Sequence, residues 1–490
     1  MMGRPKKREP KLFYAGQSLD LEARVPAGHP LRRVLAAVDF SFVRALVAPL
    51  YGYNGNESVD PEVALKLMFL SFFEDVRSER ELMLQLPCRL DWLWFCGMDL
   101  DEPAPDHSVL SKARRRWGLG TFEKVFRHVL GRCVEAGLVG GGVAHADSTL
   151  LNANAALDSR VSRKLWEQWE RASAEEAPQG QAPQGQAPQG QAPQGQAPRV
   201  EQQAEQLYQT QQQAAAPPPA AAPSPSGPPA DPQADPPGLP AGGTGKLNRM
   251  LVSPTDPDSA TVTHPGRGTL QAYRDHRLVD DRRGVVVATV ATAGDVDDAR
   301  LLPVLLDEWE RHLGGPPPRR CTGDSMYGTR ENYRGLPARG VKPYLKKRRG
   351  KDSPGGVPWH RLLPAGCSGA EALRLLGRRK AVAEGSFAEA HARHGHWRCR
   401  WRRRRRVQLQ CYLVAAVQNI AKLARHGGKG RGRPAAANPK PPRGAPAPAD
   451  ARGRGPGRGR PAHRPARSPR PTSGARPDRA RSRARAPRGR

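Results

Sequence analysis

Residues 142–155 read GVAHADSTLLNANA, and the way this stretch folds decides how the rest of the chain is arranged. A short apolar run leads to one acidic residue, Asp147, with Ser148 and Thr149 directly after it. The run reads as a strand that ends at Asp147 and is followed by a Ser-Thr turn. A carboxylate at the C-terminal end of a strand is held by a rigid element, as a metal ligand needs to be. Aspartate before Ser-Thr is more often a cap or turn residue. The stretch alone leaves both readings open, and the choice rests on the carboxylates further along the chain.

Patterned sequence resumes after an interruption at SPTDPDSATV (253–262), rich in turn formers. Residues 273–279 and 284–292 read as two strands of a hairpin, joined by the charged turn Asp280-Asp281-Arg282-Arg283. Asp295 opens a helix through Leu301, Leu302, Val304, Leu305 and Trp309. Residues 319–322 form a short strand that stops at Gly323-Asp324-Ser325. A helix from about Thr329, a strand over 341–345, a long helix over 370–394 and a last apolar helix over 411–423 complete the ordered region. This order predicts an α/β fold, a mixed sheet with helices on its faces. In that layout the ends of the first and fourth strands lie side by side.

Asp147 closes the first strand, Asp324 follows the fourth, and Glu384 sits on the closing helix within RRKAVAEGSFAEA (378–390). Two aspartates and a glutamate are hard oxygen donors suited to Mg²⁺ or Mn²⁺. Two such ions serve phosphoryl transfer by activating the attacking oxygen and stabilising the leaving one. Arg378, Arg379 and Lys380, about one turn before Glu384, face a phosphate backbone in this reading. Glu389 competes with Glu384, since residues five apart do not share a helix face. Asp158, Asp256, Asp258, Asp280, Asp281 and Asp295 all stand in turn or cap contexts, and His145 reads as a strand side chain.

Upstream, residues 29–140 are helical in pattern. Leu31, Val34, Leu35 and Val38 repeat at helix spacing. Asp60-Pro61 caps a helix running through Val63 to Phe72, and Ser78 to Glu81 forms a capping box for the next. Trp92, Trp94 and Phe95 read as core. Lys112, Arg114, Arg115 and Arg116 admit two readings, a solvated helix face or a grip on DNA phosphates.

Composition bounds the remainder. The chain of 490 residues has mean hydropathy −0.67, Gly 51, Pro 50 and a formal net charge of +32. Residues 427–490 carry 19 Lys+Arg and 2 Asp+Glu, a net of +17 that leaves +15 elsewhere. A polyanion is therefore the expected partner even without the tail. Four copies of APQGQ (177–196) and a Pro/Ala tract predict a disordered insertion at about 172–246, and the tail is expected to be disordered too. The seven cysteines show no zinc spacing and suit a reduced, cytosolic protein. No apolar run reaches the roughly 20 residues that span a bilayer.

The passages YGYNGNESVDPEVALKLMFLSFFEDVRSEREL, WFCGMDLDEPAPDHSVLSKARRRWG, HADSTLLNANA, TDPDSA, AYRDHRLVDDRRGVVVATVATAGDVDDARLL, GDSMYGTRENY and AEGSFAEAHARHGHWRCRWR occur in this order. With them the chain resembles the DDE transposases of bacterial insertion sequences, in the group spanning the IS-four and IS-five types. The resemblance covers about residues 12–425, the insertion excepted. It implies a ribonuclease-H-like catalytic domain over 141–426, an InsH-type helical domain over 29–140, a basic arm over 1–28 and a tail from 427. It further implies Asp147, Asp324 and Glu384 as the catalytic, metal-holding trio, in favour of Glu384 over Glu389, with Tyr327 as a DNA contact. Where the family places a lysine seven residues beyond the glutamate, this chain has His391.

The expectation is a Mg²⁺- or Mn²⁺-dependent transposase, cytoplasmic and nucleoid-associated, acting on terminal inverted repeats and target DNA as a homodimer. The rivals are a nuclease of the same fold and a catalytically inactive DNA-binding descendant.

Overall fold

In the computed structural model the described residues are 1–4, 11–12, 18–52, 56–175, 239–242, 245–347 and 369–426. All lie within one compact unit, Met1–Arg433. The expected disordered tail, most of the expected insertion and residues 5–10 and 13–17 of the 1–28 arm lie outside the described residues. Met1–Arg4 are described and held in place: the Met1 carbonyl accepts from Ser58 N at 3.0 Å and Arg4 N donates to Glu57 at 3.2 Å.

The amino-terminal part is helical because its caps and apolar runs agree. Helix α1 is Pro30–Ala37, with the His29 imidazole accepting from Leu31 N. Helix α2, Pro61–Phe73, starts where Asp60 accepts from Glu62 N at 3.1 Å, and the same carboxylate takes two hydrogen bonds from Arg44. It is buried almost all round, as a helix without a polar face must be. Helix α3, Glu79–Gln85, is capped by Ser78, whose hydroxyl accepts from Glu81 N. Helix α4, Leu90–Cys96, buries Trp92, Trp94 and Phe95 and stops at Gly97 in the left-handed region, φ 82°. Helix α5, Ser108–Glu135, is broken at Gly118, φ 67° and ψ 171°, and so is two helices end to end.

The sheet has six strands: β1 Val143–Asn152, β2 Ala260–His264, β3 Gly268–Asp280, β4 Val286–Ala293, β5 Arg320–Gly328 and β6 Lys342–Lys347. Its order is β6-β5-β1-β3, with β2 and β4 both lying along the far side of β3. The pairs β6·β5 and β5·β1 are parallel and the others antiparallel. This mixed sheet, covered by helices and preceded by a helical region, is ribonuclease-H-like.

Between and after the strands come α6 Arg163–Glu175, α7 Asp298–Leu313, α8 Arg330–Ala338, α9 Gly369–Arg379, α10 Gly385–His394 and α11 Arg404–His426. Helix α11 joins the two parts. Cys133 of α5 donates to the Asn419 carbonyl, and the rings of Phe126 and Tyr412 stack at 5.6 Å. Its amides also serve β4, whose second edge has no strand partner among the described residues. Asn419 bonds Val286 N and O at 2.9 and 2.8 Å, and Gln408 bonds Ala291 N and Thr289 O at 2.6 and 2.9 Å. A covered edge cannot template strand addition. The helices and the sheet share one apolar core, in which each fully buried Leu, Val or Phe contributes about 1.5–3 kcal/mol.

Four expectations are corrected. The strand expected at 319–322 does not stop at Gly323-Asp324-Ser325 but runs from Arg320 to Gly328 and contains them. The first strand does not end at Asp147. It runs on to Asn152, paired with β3 throughout, so Ser148 and Thr149 are strand residues and not a turn. The hairpin strand expected at 273–279 begins at Gly268, because its first residues pair with β2. The helix expected over 370–394 is interrupted by a π-helical turn, Lys380–Glu384, between α9 and α10.

Candidate active site

The geometry of the site begins with the ladder between β1 and β5. Val143, Ala144 and His145 pair in parallel with Arg320, Cys321 and Thr322. Beyond the His145–Thr322 pair the strands part, and two residues further along each stands an aspartate, Asp147 or Asp324. Equal offsets from one pair bring the two carboxylates to the same level on neighbouring strands. Below them His145 is fully buried, bonded to Thr322 Oγ1 at 2.7 Å and to Asp281 at 2.9 Å. Gly323 is required in β5: an added Cβ would lie 2.8 Å from Tyr327 Cβ and 3.0 Å from Leu345 Cδ2.

Asp147 is 8 % exposed and accepts from Ser148 N at 3.0 Å. Burial pushes its pKa up to about 7, against the nearby Arg379, and the charges of Asp324 and Glu384 push the same way. Asp324 is also raised, first by burial and then by the charge of Asp298, while its bond from Met326 N opposes the rise.

Glu384 comes from the π turn, which rests against β1 and β3. A π turn inside a helix frequently marks a functional site, because it re-aims the side chains after it. The Glu384 carboxylate accepts from Arg379 Nη2 at 2.7 Å, and Arg379 Nη1 lies 3.4 Å from Asp147 Oδ1. One guanidinium therefore bridges the carboxylates from β1 and from the π turn. The trio is brought to one place but is open. Among the described residues the only three His, Cys, Asp or Glu donors all within 4.8 Å of one another are Asp275, His396 and Cys411. Those three form a sealed network. Asp275 accepts from Arg277, His396 and Thr289 at 2.8, 2.8 and 2.7 Å, and His396 meets Gln410 at 3.2 Å.

The residues expected to meet DNA divide. Lys112, Arg115, Arg116, Arg378 and Lys380 are exposed, with Arg116 over the Tyr51 ring and Arg378 bonded to the Asp281 carboxylate and carbonyl. Arg114, Arg379 and Tyr327 face inward in this structure. Arg114 turns inward to Glu79 at 2.5 Å and lies over the Trp401 ring at 4.3 Å. Arg379 is 7 % exposed and committed to the two carboxylates, since a buried guanidinium has to be paired. Tyr327 is fully buried beside the acids, its hydroxyl without a partner among the described residues. Burial and the charges of Asp298, Asp147 and Asp324 hold that hydroxyl's pKa well above its usual value. Glu389 points elsewhere, to Gln418 at 3.2 Å and Arg425 at 3.1 Å.

Sequence reasoning missed two neighbours. Asp298 in the first turn of α7 is held by Arg274 at 2.8 Å and His276 at 3.2 Å. It had no distinguishing signal, as it stands among the acids of a helix start. Arg277 pairs with Asp147 across β1 and β3 and donates to Ser386 at 3.1 Å and Gln418 at 2.8 Å, tying β3 to the start of α10. Only the register reveals it. His391, in place of the expected lysine, meets Thr149 Oγ1 at 3.3 Å, and burial lowers its pKa to about 4.

Comparison with known families gives two matches. Residues 19–116 match the transposase domain DUF772, and residues 249–420 match the transposase DDE domain. No curated protein and no solved structure showed significant similarity. The two matched stretches together cover more than half of the chain. The second takes in Asp324, Arg379 and Glu384, while Asp147 precedes it. No helix of the described residues is long and apolar enough to cross a membrane. DNA is the substrate and divalent metal ions are the cofactor class that go with this family. The chain belongs to the DDE transposases and is an enzyme of metal-dependent DNA strand cleavage and transfer.

Proposed function

We propose that Asp147, Asp324 and Glu384 are the catalytic carboxylates and that they hold two Mg²⁺ or Mn²⁺ ions. The observation that carries the reading is the equal offset of Asp147 and Asp324 from the His145–Thr322 pair. The donor chemistry fits: three carboxylates are hard oxygen ligands, and burial, with the charges of Asp324 and Glu384 adding to it, makes the ionised Asp147 costly without a bound cation. When bound, the ions supply Lewis-acid activation of the attacking oxygen and stabilise the leaving one. The chain's own residues position and balance charge. β1 and β5 fix two carboxylates rigidly, Arg277 anchors the start of α10 beside Glu384, and Arg379 supplies the positive charge that the acids otherwise lack.

In this reading the substrate is the terminal repeats of an insertion sequence of the IS-four or IS-five group, joined to target DNA by a homodimer in the cytoplasm, at the nucleoid. The exposed Lys112, Arg115, Arg116 and Lys380 contact phosphates. The division into a 1–28 arm, a 29–140 helical domain, a 141–426 catalytic domain with its insertion at 172–246, and a 427–490 tail belongs to the same proposal. Strand transfer of pre-cut element ends tests it: the parent joins them in Mg²⁺ and Asp147→Asn does not. Joining at the parental rate by Asp147→Asn rejects the assignment.

A further inference from the structure

The segment that carries Glu384 also lines a second feature. Arg378 of α9, Val382 of the π turn, and Gly385, Glu389 and Arg393 of α10 all line a cleft of about 610 Å³. Its other walls are the β3–β4 turn, Asp281 to Gly284, and the end of α11 from Lys422 to His426. Gly284 is in the left-handed region, φ 67°, and an added Cβ there would lie 3.8 Å from both Lys422 Cε and Val382 Cγ1.

Six cations line this cleft, Arg282, Arg283, Arg378, Arg393, Lys422 and Arg425, against two carboxylates, Asp281 and Glu389. Both carboxylates are already used, Asp281 by Arg378 and His145, Glu389 by Arg425. Among the described residues no carboxylate pairs with Arg282, Arg283 or Arg393. Lys422 is 8 % exposed and its ammonium has no hydrogen-bond partner among the described residues. Only the charge of Glu389, which Arg425 shares, offsets this buried ammonium, and that leaves positive charge open to an anion in the cleft.

We propose that this cleft is a second DNA site, which takes the phosphodiester backbone of the duplex beside the stretch held at the carboxylates. Three features select a DNA backbone over a single small anion. The cations are spread over three elements and do not converge on one point. The walls offer no apolar floor of the kind that encloses a small ligand. The cleft is also lined by Val382 and Gly385, which flank Glu384 in the chain, so it adjoins the segment that delivers that carboxylate. A duplex gripped there is positioned for the chemistry without contributing to it. The assignment rests on DNA being the substrate, and not on which carboxylates are catalytic.

The test is DNA binding by the full chain without divalent ions, read by anisotropy of a fluorescein-labelled duplex over a range of salt concentrations. Each phosphate contact contributes about 0.9 to the salt slope. Arg282→Gln/Arg283→Gln/Arg393→Gln is expected to lower the slope by about two to three and weaken binding by roughly tenfold or more. Lys422→Met is expected to lower the slope by about one while raising the melting temperature, because a buried unpaired charge is removed. A merely structural lysine gives the same rise in melting temperature with unchanged binding. The proposal is overturned if the triple variant keeps the parental affinity and slope, if an RNA duplex binds the cleft more tightly than DNA, or if inorganic phosphate alone displaces the duplex from the parent but not from the triple variant. Since no metal is present, failure of the carboxylate assignment leaves this result unaffected.

Discussion

Asp147 and Asp324 stand two residues beyond the same strand pair, His145–Thr322, on neighbouring parallel strands. That relationship puts two carboxylates side by side where the ladder opens, with Gly323 directly before one of them. A Cβ at that position would lie 2.8 Å from Tyr327 Cβ, closer than real side chains approach, and 3.0 Å from Leu345. Gly323→Ala is accordingly expected to lower stability by about 1–3 kcal/mol, the usual cost of overpacking. A thermal melt equal to the parent's would refute the tight approach.

Arg379 bridges Asp147 and Glu384, so it opposes any cation that enters. Replacing it with glutamine removes a unit positive charge from the site, worth a few kcal/mol at about 4 Å for an effective dielectric near 20. Mn²⁺ titration of Arg379→Gln by calorimetry should show binding tightened by about tenfold or more. Weaker binding in the variant would mean that Arg379 organises the carboxylates for the ion.

The Tyr327 hydroxyl is buried without a partner among the described residues. An unsatisfied buried hydroxyl costs about 1–3 kcal/mol, hence Tyr327→Phe should leave the melting temperature unchanged or raise it. A clear drop would show that the hydroxyl has a bond it depends on.

Stability should depend on acid in two windows, with a net fall in the lower one. Burial alone would raise the Asp275 carboxyl, but Arg277, His396 and Thr289 overcome it and hold it at about 2. Asp298 is likewise held at about 2, by His276 and Arg274. Both are lower than in the unfolded chain, where an aspartate titrates near 3.9. Their stabilisation is therefore complete above about pH 4 and lost as pH falls towards 2. His391, lowered to about 4 by burial, remains neutral in the fold but charges in the unfolded chain below about 6.5, so its own contribution declines from about pH 6.5 to 4, while Asp147, raised to about 7 mainly by burial, contributes in the opposite direction over that range. Urea midpoints against pH check both windows. Asp275→Asn should flatten the lower window and cost about 3–5 kcal/mol at neutral pH by stranding Arg277. An unaltered acid limb in that variant contradicts the network's role.

Much of this was legible in the chain. Asp60-Pro61 and Ser78-to-Glu81 announced their helices by cap chemistry, and the strand and helix order gave the sheet. The signals that failed are those of tertiary origin. Asp147 looked like the end of a strand because Ser-Thr is turn chemistry, yet β3 supplies a partner for every residue to Asn152. The π turn at Lys380–Glu384 has no composition of its own. Arg114 and Arg379 read as surface cations, since nothing local says that Glu79 in one case, and Asp147 with Glu384 in the other, lie across from them. Asp298 hid among helix-start acids for the same reason.

The central claim is that Asp147, Asp324 and Glu384 form the site and Glu389 does not. Metal-dependent cleavage of a plasmid carrying this reading frame with its flanking DNA tests that most directly. Asp147→Asn, Asp324→Asn and Glu384→Gln should each lose about 10²–10³-fold or more in Mg²⁺, while Glu389→Gln, at a half-buried residue bonded to Gln418 and Arg425 away from the acids, loses far less. Parental cleavage by either aspartate variant, or loss in Glu389→Gln with activity kept in Glu384→Gln, would contradict the account.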